Sequence, residues 1–107
     1  MDKPLPNLRP AMFSYRIHEI QSVAHASGYA IAIHGSMQRD LDVIAVPWTD
    51  AAISGKRLVR RLCKALRLTV GDGPTQRPHG RRSWALMMAG AGFMDLSVMP
   101  RSRPEEG

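Results

Sequence analysis

The residues able to do chemistry in this chain fall into two short segments and one later acid. His34-Gly35-Ser36-Met37-Gln38-Arg39-Asp40-Leu41-Asp42 sets a Gly-Ser pair just ahead of two acids that are themselves two residues apart. On an extended chain such acids face the same way. Read on its own, the segment is a hairpin turn whose Asp40 ends a strand and whose Asp42 faces solvent, and this noncatalytic reading is the favoured one. Asp95, in Phe93-Met94-Asp95-Leu96-Ser97, brings a third carboxylate. The other segment, Arg77-Pro78-His79-Gly80-Arg81-Arg82, suits an anion: arginine offers a planar fork, and glycine lets backbone N–H groups approach. A solvated basic loop is its plainer reading. Both segments are glycine-containing turns at strand ends. The expected ligand-binding rim is therefore His34, Ser36, Arg39, His79, Arg81 and Arg82, with Arg101 and Arg103 near it. Trp48 and Arg39 offer a surface for a base.

The remaining reactive residues have simpler readings. His18 and His25 lie seven apart on one helical stretch without a cysteine or acid at ligand spacing, so no histidine metal site is expected. Cys63 sits among apolar and basic residues with no base in its neighbourhood, which makes packing its default role. Lys56, Arg57, Arg60, Arg61, Lys64 and Arg67 form a basic cluster with no acid among them. That cluster is open to three readings: a solvated face, a nucleic-acid contact or a host-protein contact. No helix-turn-helix, zinc-finger or RNA-binding signature accompanies it.

Periodicity supplies the elements that must position these groups. Phe13, Ile17, Ile20 and Ala24 recur at helical spacing and predict a helix over 11–27, stopped by Gly28. Residues 29–34 and 40–46 read as two strands joined by a tight turn, an antiparallel hairpin. Leu58, Val59, Leu62 and Leu66 predict a second helix over 55–67. Gly71-Asp72-Gly73-Pro74 marks 71–80 as a loop by composition. Residues 82–88 and 93–99 form a second hairpin around Ala89–Gly92. The expected architecture is α+β: a four-stranded, mostly antiparallel sheet with two helices on one face. A flexible tail (1–9) and a charged tail (101–107) flank a single domain over 10–100. Alternation puts Ile31, Ile33, Leu41, Val43, Met94, Leu96 and Val98 toward the helices. Ala30, Ala32, His34, Asp42, Asp95 and Ser97 then form a small, polar, open face, where a ligand or a second copy would sit. A homodimer is expected on that ground.

Length and charge set the outer bounds. The chain has 107 residues and a net charge of +6. That fits one small domain and points to a phosphate-bearing or polyanionic partner. A lone cysteine excludes an intrachain disulfide and agrees with a cytoplasmic setting. No apolar run is long enough for a membrane span, and no membrane partner is expected.

The Gly35-Ser36 and Asp40-Leu41-Asp42 blocks resemble the signature of the nucleotidyltransferase superfamily. The resemblance implies a Gly-Ser turn that holds triphosphate. It also implies a magnesium ion held by Asp40, Asp42 and Asp95, because clustered carboxylates suit a cation that bridges phosphates. Only Met37, Gln38 and Arg39 separate the two blocks here, where that superfamily places a helical turn. A second resemblance covers about residues 29–101. His34-Gly35-Ser36, Arg39 to Trp48, Arg77 to Arg81 and Asp95 to Arg101 look like a family of small proteins of tailed phages and prophages, which implies a host-cell cytoplasmic location. The leading expectation is a noncatalytic, phage-type nucleotide-binding protein without a cofactor, one that sequesters a host defence signalling nucleotide. The alternatives are a reduced magnesium-dependent nucleotidyltransferase and a binder of host protein or nucleic acid through the second helix.

Overall fold

The computed structural model describes residues 16–34, 41–88 and 92–102. Its elements run α1 (Ile17–Ala26), β1 (Tyr29–His34), β2 (Leu41–Pro47), α2 (Gly55–Leu66), β3 (Thr69–Gln76), a 3-10 turn (Pro78–Gly80), β4 (Arg82–Met88) and β5 (Gly92–Val98). Residues 11–15 of the expected first helix, the 89–91 turn and most of both tails lie outside the described residues.

The fold is α+β, with a sheet that differs from expectation in two ways. It has five strands in the order β1-β2-β5-β4-β3. It is also mixed, because β2 and β5 pair in parallel while the other neighbours are antiparallel. Both expected hairpins are present. The chain links the two parallel strands through α2 and the β3–β4 hairpin, a crossover that parallel pairing requires. The added strand, β3, occupies the segment expected to be a loop. Its glycines and proline are tolerated because it is an edge strand, exposed along nearly its whole length. Its register against β4 slips between Val70 and Asp72 and again between Asp72 and Thr75. Such irregularity blunts an edge.

Both helices cover one face of the sheet. Ile20 and Ala24 of α1 and Leu58, Leu62 and Leu66 of α2 pack on Leu41, Val43, Ala45, Leu86, Met94 and Leu96, all fully buried or nearly so. This is the face that strand alternation assigns to the core. Ile33 departs from it at 40% exposure, because β1 is the opposite edge. Ser54 starts α2, its Oγ accepting the Arg57 N–H at 3.3 Å. Ser54→Ala is expected to lower stability by about 1 kcal/mol, read as a shift in the urea midpoint at unchanged slope.

Gly28 joins α1 to β1 at φ +93°. Its carbonyl accepts the Trp48 N–H at 2.9 Å, and the neighbouring Ser27 carbonyl accepts Ile53 N–H at 3.1 Å. Tyr29 Oη donates to the Ile53 carbonyl at 2.7 Å. The connection after β2 is thereby tied to the start of β1, which fixes the frame on which the open face is carried.

Candidate functional site on the open sheet face

Register brings two of the three expected acids together. Asp42 of β2 stands directly opposite Asp95 of β5 across the parallel pair. Neighbouring strands lie about 4.8 Å apart, so two carboxylates on one face at one level are close neighbours. Their neighbours Leu41, Val43, Met94 and Leu96 are buried under the helices, so alternation turns both acids to the uncovered side. Asp42 is half-buried and Asp95 exposed. The same level continues through Ala85 on β4 to Asp72 on β3, and on the other side His34 of β1 registers with Asp42. Asp40 lies outside the described residues. Among those described, no three of His, Cys, Asp and Glu cluster tightly enough to hold a metal on their own.

Two arginines face this acidic row from one step along the strands. The 77–81 segment folds back on itself, with Arg77 N–H donating to the Arg81 carbonyl at 2.9 Å. His79 at φ 66° and Gly80 at φ 76° supply the reversal. The turn pinches Arg77 and Arg81 together over the sheet. Arg77 Nε donates to Ser83 Oγ at 2.9 Å, and Arg81 Nη1 donates to Ser97 Oγ at 3.1 Å. Ser83 and Ser97 are themselves register partners. Ser97 is two residues beyond Asp95, about 7 Å along the strand. A shallow pocket of about 150 Å³ follows, lined by Asp72, Thr75, Arg77, Ser83, Phe93 and Asp95 among others. Phe93, 44% exposed, lies two residues before Asp95 and so shares its face.

Of the expected rim, His34, His79, Arg81 and Arg82 fall among the described residues. His34 and Leu41 bracket residues 35–40 at the end of the sheet where Leu41 meets Met94. Arg82 begins β4 at the other end, opposite Val98. Four residues of strand, about 13 Å, separate the two levels. Ser36 and Arg39 lie outside the described residues. Arg82 also takes the wrong face: it sits with Trp84 on the helix side, its guanidinium 5.3 Å from the ring centroid. His79 is exposed on the tip of the turn. Trp48 stacks on His25, centroids 4.8 Å apart, next to the larger cleft between Pro47–Asp50 and Pro100–Ser102. Arg101 borders that cleft and donates to the Ala52 carbonyl at 3.1 Å.

Arg77, Asp72 and Phe93 are site residues that sequence reading left out. Arg77 was within the quoted basic segment, and its pairing with Arg81 across a four-bond turn carries the signal. Cys63 takes the packing role expected of it: it lies against the core, and burial pushes its thiol above the ordinary value.

Loss of either arginine has a defined consequence. Under the reading proposed below, in which this face binds a nucleoside triphosphate, Arg81→Ala is expected to weaken that binding by about 1.5–3 kcal/mol, the range of a hydrogen bond to a charged group, measured by calorimetry. Arg82→Ala, on the other face, is expected to leave that affinity within about twofold. A scan of protein-family models and a search of curated protein sequences gave no match to this chain.

Proposed function

We propose that this protein binds a nucleoside triphosphate with magnesium on the open sheet face and transfers its nucleotidyl group to an acceptor. The observation that carries this reading is the register of Asp42 against Asp95 on adjacent parallel strands. Magnesium is commonly held by one or two carboxylates, with phosphates and water completing its shell, so this donor pair fits it. Asp42 and Asp95 would hold the ion, with Asp40 as the further carboxylate that the superfamily resemblance implies. When bound, the ion neutralises charge that builds on the phosphates during displacement.

The chain's own residues supply the rest. Arg77 and Arg81 are anchored by Ser83 and Ser97, so their guanidiniums are held near the acids before any ligand arrives. Held donors lose less freedom on binding than free side chains. They would take phosphate oxygens that the metal leaves uncovered. Phe93 offers an apolar ring on the same face for a base. In the reaction the acceptor hydroxyl oxygen bonds to the α-phosphorus and its proton passes to solvent, the bond from the α-phosphorus to the bridging oxygen breaks, and pyrophosphate leaves with that oxygen.

Sequestration without turnover would rest on a rim that includes Ser36 and Arg39, which lie outside the described residues. The register of Asp42 against Asp95 moves the weight to the acids. Labelled nucleoside triphosphates incubated with magnesium and a panel of acceptors should give labelled product and pyrophosphate. A ligand that binds and is recovered unchanged after heat release would return the reading to sequestration. A panel in which nothing binds would end both.

A further inference from the structure

We infer that the exposed face of α2 is a second, independent binding surface, one that takes the phosphate backbone of a duplex nucleic acid without reading its sequence. It lies on the other side of the sheet from Asp42 and Asp95 and does not depend on the role given to them. Leu58, Val59, Leu62 and Leu66 are buried, which fixes the helix's rotation. Lys56, Arg57, Arg60, Arg61, Lys64 and Arg67 are exposed as a consequence. At 100° per residue Lys56, Arg57, Arg60, Arg61 and Lys64 fall within about 140° of arc, over about 12 Å of helix, and Arg67 follows them as the left-handed C-cap. They form one continuous surface rather than a scatter.

Among the described residues, no carboxylate forms an ion pair with any of these cations; the ion pair on the adjoining helix joins Arg16 to Glu19 at 2.8 Å. Arg61 donates to Ser27 Oγ at 3.2 Å, a neutral partner that leaves its charge uncompensated. A solvated helix usually mixes signs for solubility and for i,i+4 support. This one gives up that support along its entire outer face.

The partner's chemistry follows from what the face lacks. Protein interfaces centre on aromatic or aliphatic anchors. Among the described residues the exposed large hydrophobics are Ile33, Val46, Trp48, Val70, Met87 and Phe93, and none is on α1 or α2, where the groove beside Arg61 and Lys64 is lined by Val23 and the small Ala26 and Ala65. Single-stranded nucleic acid is gripped by aromatic stacking, and among the described residues this surface carries no aromatic ring. A duplex needs neither. It presents phosphates in a regular row, and contacts to them fix position without reading bases.

Fluorescence anisotropy with a labelled 20-base-pair DNA duplex and a matching RNA duplex tests the inference and separates the two sources of that backbone. Four to six phosphate contacts predict a log–log salt slope of about −4 to −5 for DNA. Between 50 and 200 mM salt the affinity should therefore fall roughly 250- to 1,000-fold. Combining Arg57→Glu, Arg60→Glu and Lys64→Glu should remove binding at 50 mM salt while the circular dichroism spectrum is retained. Should the triple variant not fold, the corresponding Gln substitutions should cut affinity at least tenfold. Polyglutamate of equal charge should compete at least tenfold less well than duplex. Absence of binding to both duplexes, a slope shallower than −2, or equal competition by polyglutamate would overturn the inference. The last outcome would assign the face to an acidic protein.

Discussion

Asp42→Asn is expected to abolish magnesium-dependent nucleotidyl transfer, by about 1,000-fold or more, and to leave the fold intact. A metal positioned on the transferring phosphate contributes several kcal/mol to the transition state, and each 1.36 kcal/mol is a factor of ten. Asparagine keeps the shape of aspartate but not its charge. The change occurs on an uncovered sheet face where Asp42 is half-buried, so no unpaired charge is left in the core. Stability should stay within about 0.5 kcal/mol of wild type. Asp95→Asn should behave alike, because the two residues are register partners. Asp50→Asn, an exposed carboxylate on the connection after β2, should leave turnover unchanged. Turnover of labelled nucleotide beside a thermal unfolding curve checks all three. An Asp42→Asn variant that retains activity would remove the acids from the chemistry.

A large stability effect belongs to Gly28→Ala. A Cβ built there would lie 2.5 Å from the Ala52 Cα and 2.9 Å from both Ala52 Cβ and Thr49 Cγ2. The first of these is backbone, held in place by the hydrogen bonds that tie residues 48–53 to Ser27, Gly28 and Tyr29. Relief would require pulling that connection off the start of β1. The φ of +93° adds the cost that any side chain meets in this region. Together these should lower stability by about 3 kcal/mol or more, a fall in Tm of more than about 10 °C. Gly80→Ala is the comparison. It has φ +76°, but its nearest neighbour is the Pro100 ring at 3.2 Å, which has room to give. The backbone term is shared and the clash is not, so Gly80→Ala should cost about 1–2 kcal/mol. Equal losses at the two positions would mean that strain alone sets the effect.

Much of this fold was legible locally. The buried stripe of α2, the antiparallel β1–β2 and β4–β5 hairpins, and the division of β2 and β5 into a core face and an open face all follow from period and parity. Asp42 and Asp95 lie on the face that alternation assigned them. Two features were not legible, for different reasons. Gly71-Asp72-Gly73-Pro74 has the composition of a turn, and only the hydrogen bonds of β4 make it a strand. The insertion of β5 between β2 and β4 is a non-local choice, and no short window of sequence encodes strand order. The separation of His34 from Arg82 along the strands follows from that one omission. With β5 parallel to β2, the start of β2 and the start of β4 fall at opposite ends. Arg82 is a separate case, because its signal was present: it is two residues from Trp84 and four from Leu86, so parity places it on the core face.

The site itself was half legible. Motif spacing picked out the acids, and composition picked out the 77–81 turn. The turn's relation to the acids needed the sheet. Arg81 approaches Asp95 only because β4 and β5 pair with Ser83 opposite Ser97. Arg77 joins it because two consecutive positive φ angles reverse the chain between them.

The most direct measurement of the central claim is a calorimetric titration of nucleoside triphosphates into wild-type protein and Asp95→Asn, each with magnesium and with a chelator. Binding is expected for wild type with magnesium, with loss of at least tenfold in affinity on chelation and a similar loss in Asp95→Asn. An affinity that is the same with and without magnesium, and the same in Asp95→Asn, would contradict a metal-bound nucleotide held by the Asp42–Asp95 pair.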